Sequence, residues 1–430
     1  MDNTISRRNF NKLLFSGLAG SSLFMSATPL FASARKARVV VIGGGFGGAT
    51  AARYIKKLDP AIAVTLVEPK TVFHTCPMSN WVLGGLKTMQ DIAHTYNVLR
   101  HRYGVEVVHD TATVIDPVKK SVNLKGGRSL SYDRLVLSPG VDFKWEAIEG
   151  YSRQAAETVM PYAWEAGPQT QLLRRQLLAL KDGQNVIICA PKNPFRCPAA
   201  PYERASLIAW YLKKSKPKSK VIILDEKEVF TKQDLFMLAW ERLYPGMIEW
   251  RSASVGGKIE RLDPSKMTVA TEFGDEKGGV VNVIPPQRAG RIAVDSGLTD
   301  ASGWCPVNPA TFESLLHPGI HVVGDAALVG TMPKSGTAAN TQAKSLASTL
   351  VEQFGGPKNG EHHLGSLCFS LIAPNYAVSV SGDYLQTPEG IKDNPADVHL
   401  TSMEATTDQL AGEAMQSLHW YKNISQDTWD

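Results

Sequence analysis

The sequence predicts an α/β protein with two domains built on doubly wound parallel sheets, followed by a C-terminal α+β interface domain. Three observations predict this fold. A glycine turn joins a β-branched strand to a helix near residue 43, a second strand, helix and strand follow one another between 185 and 225, and the β-branched segment 319–327 occurs late in the chain. A chain of 430 residues, 43% of them apolar, is long enough for two or three hydrophobic cores.

Residues 1–34 have the composition of an export signal. "SRRNFNK" (6–12) carries paired arginines, an apolar stretch runs from 13 to 25, and "ASA" (32–34) provides a small-residue cleavage site. The arginine pair followed by Phe10 resembles a twin-arginine signal, which predicts a periplasmic protein, with a general secretory signal or an uncleaved anchor as the alternative. No later run of about 18 apolar residues would hold the chain in a bilayer.

The net charge is too small to indicate a nucleic-acid partner. The formal charge is +5, and Arg7, Arg8 and Lys12 against Asp2 supply +2 of it, so residues 35–430 carry about +3. The lysine run "KKSKPKSK" (213–220) is typical of a solvated helix end, and a docking patch for an acidic partner is the alternative.

The first strand–helix–strand unit carries a dinucleotide-binding pattern. Gly43, Gly45 and Gly48 lie between the strand "RVVVI" and a helix, and Glu68 ends the next strand. The first glycine permits a tight turn, the second lets the backbone approach a pyrophosphate, and the third allows close helix packing. Glu68 is placed to accept hydrogen bonds from a ribose, so this domain is predicted to be Rossmann-like.

The rest of the chain divides by the return of similar elements. The second parallel sheet contains the strands "NVIICA" (185–190) and "KVIILD" (220–225) and is closed by "VVNVIPP" (280–286). A stretch of helix is expected at 160–182 and a helix from Pro201 to Lys214. The predicted divisions are a signal peptide at 1–34, a first domain in two parts at 35–150 and 289–354, a second domain at 151–288, and a C-terminal interface or capping domain at 355–430.

Two later motifs decide which dinucleotide the first domain binds. "YDRLVLSPG" (132–140) and "GIHVVGDAA" (319–327) resemble the second and third FAD-contact motifs of glutathione-reductase-like flavoproteins. The resemblance implies that Gly140 and Asp325 contact FAD, with the Asp325 carboxylate holding the ribityl chain. "MPKSGTAANTQAKSLA" (332–347), which includes Lys334, is then predicted to lead into a helix whose N-terminus points at the flavin pyrimidine.

The second domain lacks the glycines that a second dinucleotide would require. "APKNPFRCPAAPYE" follows its first strand, and its four prolines provide no N–H groups for a pyrophosphate. The NAD site is therefore predicted to be degenerate. Cys197 is expected at the carboxyl edge of this sheet, the edge where open α/β folds bind ligands, although a cysteine at a strand end is more often structural.

The five cysteines are an odd number, so at least one has no internal disulfide partner. Cys76, in "HTCPMSN", could be a free thiol or a covalent attachment point. Nearly end to end from 37 to 430, the chain resembles the flavoprotein subunit of flavocytochrome c sulfide dehydrogenase. The motifs that carry this resemblance include "HTCPMSN", "FRCPAAPYERAS", "IPPQRAG", "GWCPV", "MPKSG" and the terminal "WYKNI".

The resemblance implies roles for three cysteines. Cys76 would form a thioether with the FAD 8-methyl group, and Cys197 would form a redox disulfide beside the flavin with Cys368. Hydrosulfide would attack this bridge by thiol–disulfide exchange. Cys189 is predicted to be a small core residue, and Cys305 is the competing partner for Cys197.

Three further expectations concern protons and electrons. Glu203 is a candidate for proton handling, with a helix-start carboxylate as the alternative. No C-x-x-C-H motif occurs, so the predicted electron acceptor is a separate c-type cytochrome subunit. Trp420 and Tyr421 are expected near the flavin, near that interface, or in an ordinary core. A sulfide:quinone oxidoreductase and a non-catalytic flavin-binding partner remain as alternatives, and no metal site is predicted.

Overall fold

The computed structural model describes residues 37–358 and 363–430, so the predicted signal peptide at 1–34 lies outside the described residues. The first part of the chain alternates short strands and helices. Its elements are β1 (Arg38–Ile42), α1 (Phe46–Leu58), β2 (Ala63–Val67), β3 (Val72–His74), α2 (Ser79–Gly84), β4 (Ala93–Thr95), α3 (Asn97–His101), β5 (Glu106–Val108), β6 (Ala112–Asp116), β7 (Ser121–Leu124), β8 (Ser129–Ser131), β9 (Arg134–Leu137) and β10 (Val141–Phe143).

The middle of the chain begins with two helices and continues through a second set of strands. Its elements are α4 (Arg153–Thr158), α5 (Pro168–Ala179), β11 (Val186–Ala190), α6 (Ala200–Ser215), β12 (Val221–Asp225), α7 (Gln233–Leu243), β13 (Ile248–Arg251), β14 (Ile259–Asp263), β15 (Thr268–Thr271), β16 (Gly274–Lys277) and β17 (Val280–Val283).

The last part returns to the first sheet and ends with a hairpin and a long helix. Its elements are β18 (Gln287–Ala289), α8 (Arg291–Asp295), β19 (Cys305–Pro306), β20 (Ile320–Val322), β21 (Ala327–Leu328), α9 (Gly336–Gln353), β22 (Leu364–Ala373), β23 (Tyr376–Thr387), β24 (Gly390–Asp393), β25 (His399–Leu400) and α10 (Thr407–Trp429).

Two parallel sheets confirm the predicted fold class. The first has the strand order β20-β9-β1-β2-β5, and the second has the order β13-β12-β11-β17. β11 is buried along its whole length, and so is β12, as expected for parallel strands covered on both faces. β20 joins the first sheet beside β9, which confirms that 319–327 returns to it.

One helix prediction was partly wrong. Helix was expected over 160–182, but α5 begins only at Pro168. Proline is favoured in the first turn of a helix and disfavours helical backbone in the residue before it, so Pro168 fixes the start of α5. The irregular segment before it contains Ala163, whose φ of 43° is left-handed, and places Trp164 against the site described below.

Two lysines of the run 213–220 contact neighbouring groups of the same chain. Lys213 donates to the Leu243 carbonyl at 2.8 Å, and the Lys214 ammonium lies 3.7 Å from the centre of the Trp210 ring.

Within residues 37–358 and 363–430, every helix is too short or too polar to cross a bilayer.

Candidate active site

The glycine turn brings three chain segments into contact. Gly43 has a φ of 98°, and a Cβ there would lie 2.2 Å from the Ser138 carbonyl oxygen. A Cβ at Gly48 would lie 1.9 Å from the Gly43 carbonyl oxygen, so both positions need glycine. The Glu68 carboxylate accepts from the Gly44 amide at 2.8 Å, which ties the turn to the end of β2.

A cavity of about 180 Å³ runs from this turn towards Cys197, and we call it the dinucleotide cavity. Its walls come from the glycine turn, the segment around Cys76, the Ser138–Gly140 turn and the start of α9. The predicted cofactor residues that line it are Gly43, Gly45, Glu68, Cys76, Gly140 and Asp325. Gly48 lies behind the turn, where it has the packing role that the sequence predicted.

Asp325 and Arg196 are half-buried in the wall of the dinucleotide cavity, and each has one buried hydrogen-bonding atom that is unused. Among the described residues, Asp325 Oδ1 and Arg196 Nε have no hydrogen-bond partner. The nearest guanidinium nitrogen lies 3.8 Å from the other Asp325 oxygen, and burial raises the pKa of Asp325. Buried polar atoms are normally paired, so this carboxylate and guanidinium fit a polar ligand such as the ribityl chain of FAD.

Lys334 lines neither this cavity nor the one described next. Its ammonium donates to the carbonyl oxygens of Asp325 at 2.7 Å and Ala327 at 3.0 Å, and it lies 3.8 Å from the centre of the Trp304 ring. Burial lowers its pKa to about 8. Lys334 therefore orders the Asp325 loop, and its own carbonyl accepts from the Cys197 amide at 2.9 Å.

A second cavity of about 390 Å³ adjoins the first, and we call it the thiol cavity. Cys197 and Cys368 both line it, although they are 171 positions apart in the sequence. Cys76, Arg196 and Cys197 belong to the walls of both cavities. The structure thus brings the three cysteines of the predicted chemistry to one place, and all five cysteines, which lie within the described residues, have free thiols.

The position of Cys197 depends on a strained turn. Its φ of 55° is left-handed, which is rare for a residue with a side chain, and it lies three residues before α6 begins at Ala200. Burial raises the pKa of the Cys197 thiol, Arg196 opposes this effect, and negative charge on Asp325, Cys76 or Cys368 adds to it. The Arg196 guanidinium is therefore the group that favours a thiolate at Cys197.

Cys368 lies on β22, next to a buried lysine that the sequence did not identify. The Lys232 ammonium is 3.9 Å from the Cys368 sulfur, 3.2 Å from its carbonyl oxygen and 2.8 Å from the Ser370 hydroxyl. Lys232 is only 8% exposed and has a φ of 63° at the start of α7. The nearest sequence signal was the segment "FTKQD", which was not distinguishable from a helix start.

Glu203 projects from the first turn of α6 into the thiol cavity. Its carboxylate accepts from the Asn80 amide at 2.8 Å, the Leu371 backbone amide at 3.0 Å and the Trp81 indole at 3.4 Å. Burial raises its pKa, and these donors together with the charge of Lys232 offset part of that rise. A partly buried carboxylate in the wall of a cavity that two cysteines also line can accept and release a proton.

The remaining cysteines lie away from both cavities. Cys189 is in the fully buried strand β11, as predicted for a core residue. Cys305 is buried where β19 pairs with β21, and burial raises its pKa to about 12. It lines neither cavity, so the geometry favours Cys368 over Cys305 as the partner of Cys197.

The tail helix α10 reaches back to the glycine turn. Trp420 lines the thiol cavity, and the Tyr421 hydroxyl is 2.8 Å from the Thr75 hydroxyl, one residue before Cys76. Trp429 is fully buried, stacks on His94 with ring centres 4.6 Å apart, and donates to the Gly44 carbonyl at 3.1 Å. Sequence reasoning missed this contact because it joins positions 385 residues apart.

Trp429 therefore contributes to the stability of the dinucleotide cavity. Trp429→Ala removes a fully buried indole and should cost about 3–5 kcal/mol of unfolding free energy. Trp429→Phe keeps most of the ring and should cost about 1 kcal/mol through the lost hydrogen bond. Thermal unfolding followed by flavin fluorescence measures both variants, and equal midpoints for Trp429→Ala and the native protein would contradict this role.

The edge of the second sheet is filled by side chains. Asp225 ends β12, where a second dinucleotide would place its ribose, and it is fully buried. Its carboxylate accepts from the Tyr202 hydroxyl at 2.6 Å and the Trp250 indole at 2.9 Å, and it pairs with the Lys227 ammonium at 2.5 Å. These contacts occupy the Asp225 carboxylate, so its oxygens already have partners within the chain.

Three family models match the chain. "Sulfide dehydrogenase [flavocytochrome c] flavoprotein chain, central" matches residues 170–285, and "Flavocytochrome c sulphide dehydrogenase, flavin-binding" matches residues 361–429. The broader model "Pyridine nucleotide-disulphide oxidoreductase" matches residues 37–182.

Among curated proteins, a sulfide dehydrogenase flavoprotein chain of Chlorobaculum thiosulfatiphilum is 73% identical over 45 residues, 10% of this chain and 94% of that one. The mitochondrial sulfide:quinone oxidoreductase of Mus musculus is 25% identical over 319 residues, 71% of this chain and 68% of that one. Among solved structures, the sulfide:quinone oxidoreductase of Aquifex aeolicus has a TM-score of 0.72 at 17% identity, covering 91% of this chain and 92% of that one. At this identity the structural likeness shows the fold alone.

Proposed function

Because the chain belongs to the family of flavocytochrome c sulfide dehydrogenase flavoprotein chains, which are sulfide-oxidising flavoproteins, we propose that it oxidises sulfide through a Cys197–Cys368 disulfide and FAD and passes the electrons to a c-type cytochrome. One observation carries the proposal. Cys197 lies in the wall shared by the dinucleotide cavity and the thiol cavity, so the same residue borders both.

Sulfide reacts in the thiol cavity, and the flavin binds in the dinucleotide cavity. In the oxidised protein, hydrosulfide attacks one sulfur of the bridge, and the other sulfur leaves as a thiolate while the attacked cysteine becomes a persulfide. Glu203 takes the proton of the incoming sulfide, and Arg196 stabilises negative charge at Cys197. Bound FAD supplies a two-electron acceptor that can release its electrons one at a time.

Among residues 37–358 and 363–430, the dinucleotide cavity suits FAD, whereas the edge of the second sheet does not suit a second dinucleotide. The glycine turn, Glu68 and the α9 N-terminus surround the dinucleotide cavity, and Asp325 provides an unused carboxylate oxygen for the ribityl chain. The internally bonded Asp225 at the second sheet argues against NAD(P)H as electron source. Cys76 is the proposed thioether attachment point because it lines the same cavity.

The acceptor distinguishes two candidate functions. The Chlorobaculum relative is the flavoprotein chain of a flavocytochrome c, which supports a heterodimer with a cytochrome subunit. The mouse relative is a quinone oxidoreductase and extends over more of this chain, which supports quinone as the alternative acceptor. Export by the twin-arginine route to the periplasm remains part of the proposal and suits a cytochrome partner.

Anaerobic spectra test the proposal. Sulfide should bleach the flavin absorption of the holoenzyme, and adding oxidised c-type cytochrome should restore it while the haem is reduced. Reoxidation by a short-chain quinone but not by cytochrome would favour the quinone reading. No bleaching by sulfide at any pH would favour a non-catalytic flavin-binding partner.

A further inference from the structure

Asn80 and Arg204 form a buried polar pair behind Glu203, and neither has an assigned role. Arg204 is 2% exposed and lies one residue after Glu203 in α6, while Asn80 belongs to α2, the short helix that follows Cys76. The Arg204 guanidinium donates through Nε to Asn80 Oδ1 at 3.0 Å. Its other two nitrogens donate to Asn282 Oδ1 at 2.7 Å and the Ala163 carbonyl at 2.6 Å.

These contacts fix the orientation of the Asn80 amide. A guanidinium has only donors, so the atom of Asn80 that faces Arg204 must be the acceptor oxygen. The amide nitrogen then faces Glu203 and donates to Oε2 at 2.8 Å, and it also lies 3.2 Å from the Ala200 carbonyl. A reversed amide would set donor against donor at Arg204 and acceptor against acceptor at Glu203.

Taking the proposed function as given, we propose that Asn80, oriented by Arg204, is a positioning residue that holds the Glu203 carboxylate in its ionised form at the thiol cavity. The hydrogen bond from Asn80 to the Glu203 carboxylate is short and charge-assisted, and hydrogen bonds of this kind are stronger than neutral ones. The Ser79 hydroxyl donates to the Cys76 carbonyl at 2.6 Å, so the same helix start holds both the proposed flavin attachment point and Asn80. The segment "HTCPMSNW" thus serves flavin attachment and proton handling together.

The surroundings of Glu203 leave Asn80 as its shortest side-chain donor. Lys232, at the start of α7, is the cation that favours the ionised carboxylate. Arg204 follows Glu203 in α6 but directs its nitrogens elsewhere. Cys197 and Cys368 face the same cavity and can become negatively charged only when the bridge is open. Burial raises the pKa of Glu203, and the hydrogen bond from Asn80 lowers it.

The test measures the protonation of Glu203 directly in the holoenzyme. Difference infrared spectra recorded against pH give the carboxyl band of protonated Glu203, identified by its loss in Glu203→Gln. Asn80→Ser should move the midpoint of this band upward by about one to two pH units, because a bond to the charged form is lost. Asn80→Asp keeps the size of the side chain, places a carboxylate against Glu203, and should move the midpoint at least as far.

Trp81→Phe is the matched control, because it removes only the longer 3.4 Å donor to the same carboxylate. Its shift should be in the same direction but smaller. A midpoint in Asn80→Ser and Asn80→Asp that moves no further than in Trp81→Phe would overturn the proposal. The pH at which the rate of sulfide-dependent flavin bleaching is half-maximal should shift by the same amount as the infrared midpoint. Because the infrared measurement needs no sulfide, a wild-type protein that fails to oxidise sulfide would refute the proposed function and still leave this inference decided.

Discussion

Replacing Cys197 or Cys368 by serine is expected to abolish sulfide-dependent bleaching of the flavin while leaving the flavin bound. A serine oxygen cannot form a disulfide, so hydrosulfide has no sulfur–sulfur bond to attack. The two variants should lose the reaction equally, because each removes the same bond. Flavin binding should persist, since the glycine turn, Glu68 and Asp325 belong to other segments of the cavity wall. Stopped-flow absorbance under anaerobic conditions measures the rate.

Cys305→Ser provides the matched control for these variants. Cys305 is a buried cysteine that lines neither cavity, so its replacement should leave the sulfide reaction close to the native rate. Normal bleaching in either Cys197→Ser or Cys368→Ser would refute the bridge. Loss of bleaching in Cys305→Ser with normal bleaching in Cys368→Ser would instead assign the bridge to Cys305, the partner that sequence reasoning kept as the alternative.

The sequence predicted those parts of the fold whose signals are local. The apolar strands Val186–Ala190 and Val221–Asp225 are close to the predicted 185–190 and 220–225, because buried parallel strands are continuous apolar runs. The helix predicted from Pro201 to Lys214 extends over Ala200–Ser215. Of the helix expected over 160–182, the part before Pro168 did not form, and Ala163 and Trp164 of that segment line the thiol cavity.

The site was predictable where a motif marks the backbone and unpredictable where only packing decides. The positions of Gly43 and Gly48 follow from steric needs that only glycine meets. The roles of Lys232, Asn80 and Trp429 depend on contacts between residues 123 to 385 positions apart in sequence, which leave no periodic or compositional trace. The motif that contains Lys334 likewise gave no indication that its ammonium donates to the backbone carbonyls of Asp325 and Ala327.

Acid precipitation should leave the flavin in the protein pellet, and Cys76→Ser should release it into the supernatant. Cys76 lines the dinucleotide cavity, its sulfur lies 3.4 Å from the Trp164 carbonyl oxygen, and Arg196 is in the same wall. A thioether survives denaturation, whereas contacts that depend on the fold do not. Before acid treatment, the folded Cys76→Ser protein should still bind flavin, because the other residues of the cavity wall are unchanged.

The outcome in Cys197→Ser separates attachment from the redox role of the neighbouring thiol. Cys197 lies in the same wall as Cys76, so it is the other cysteine that could reach the flavin. Flavin that stays in the pellet for Cys197→Ser but not for Cys76→Ser assigns the bond to Cys76. Flavin wholly in the supernatant of the acid-treated native protein would show that the cofactor is held by folding alone, in which case the attachment role of "HTCPMSNW" fails. The bond from Asn80 to Glu203 does not depend on that linkage and would remain as a reason for the position of this segment beside the thiol cavity.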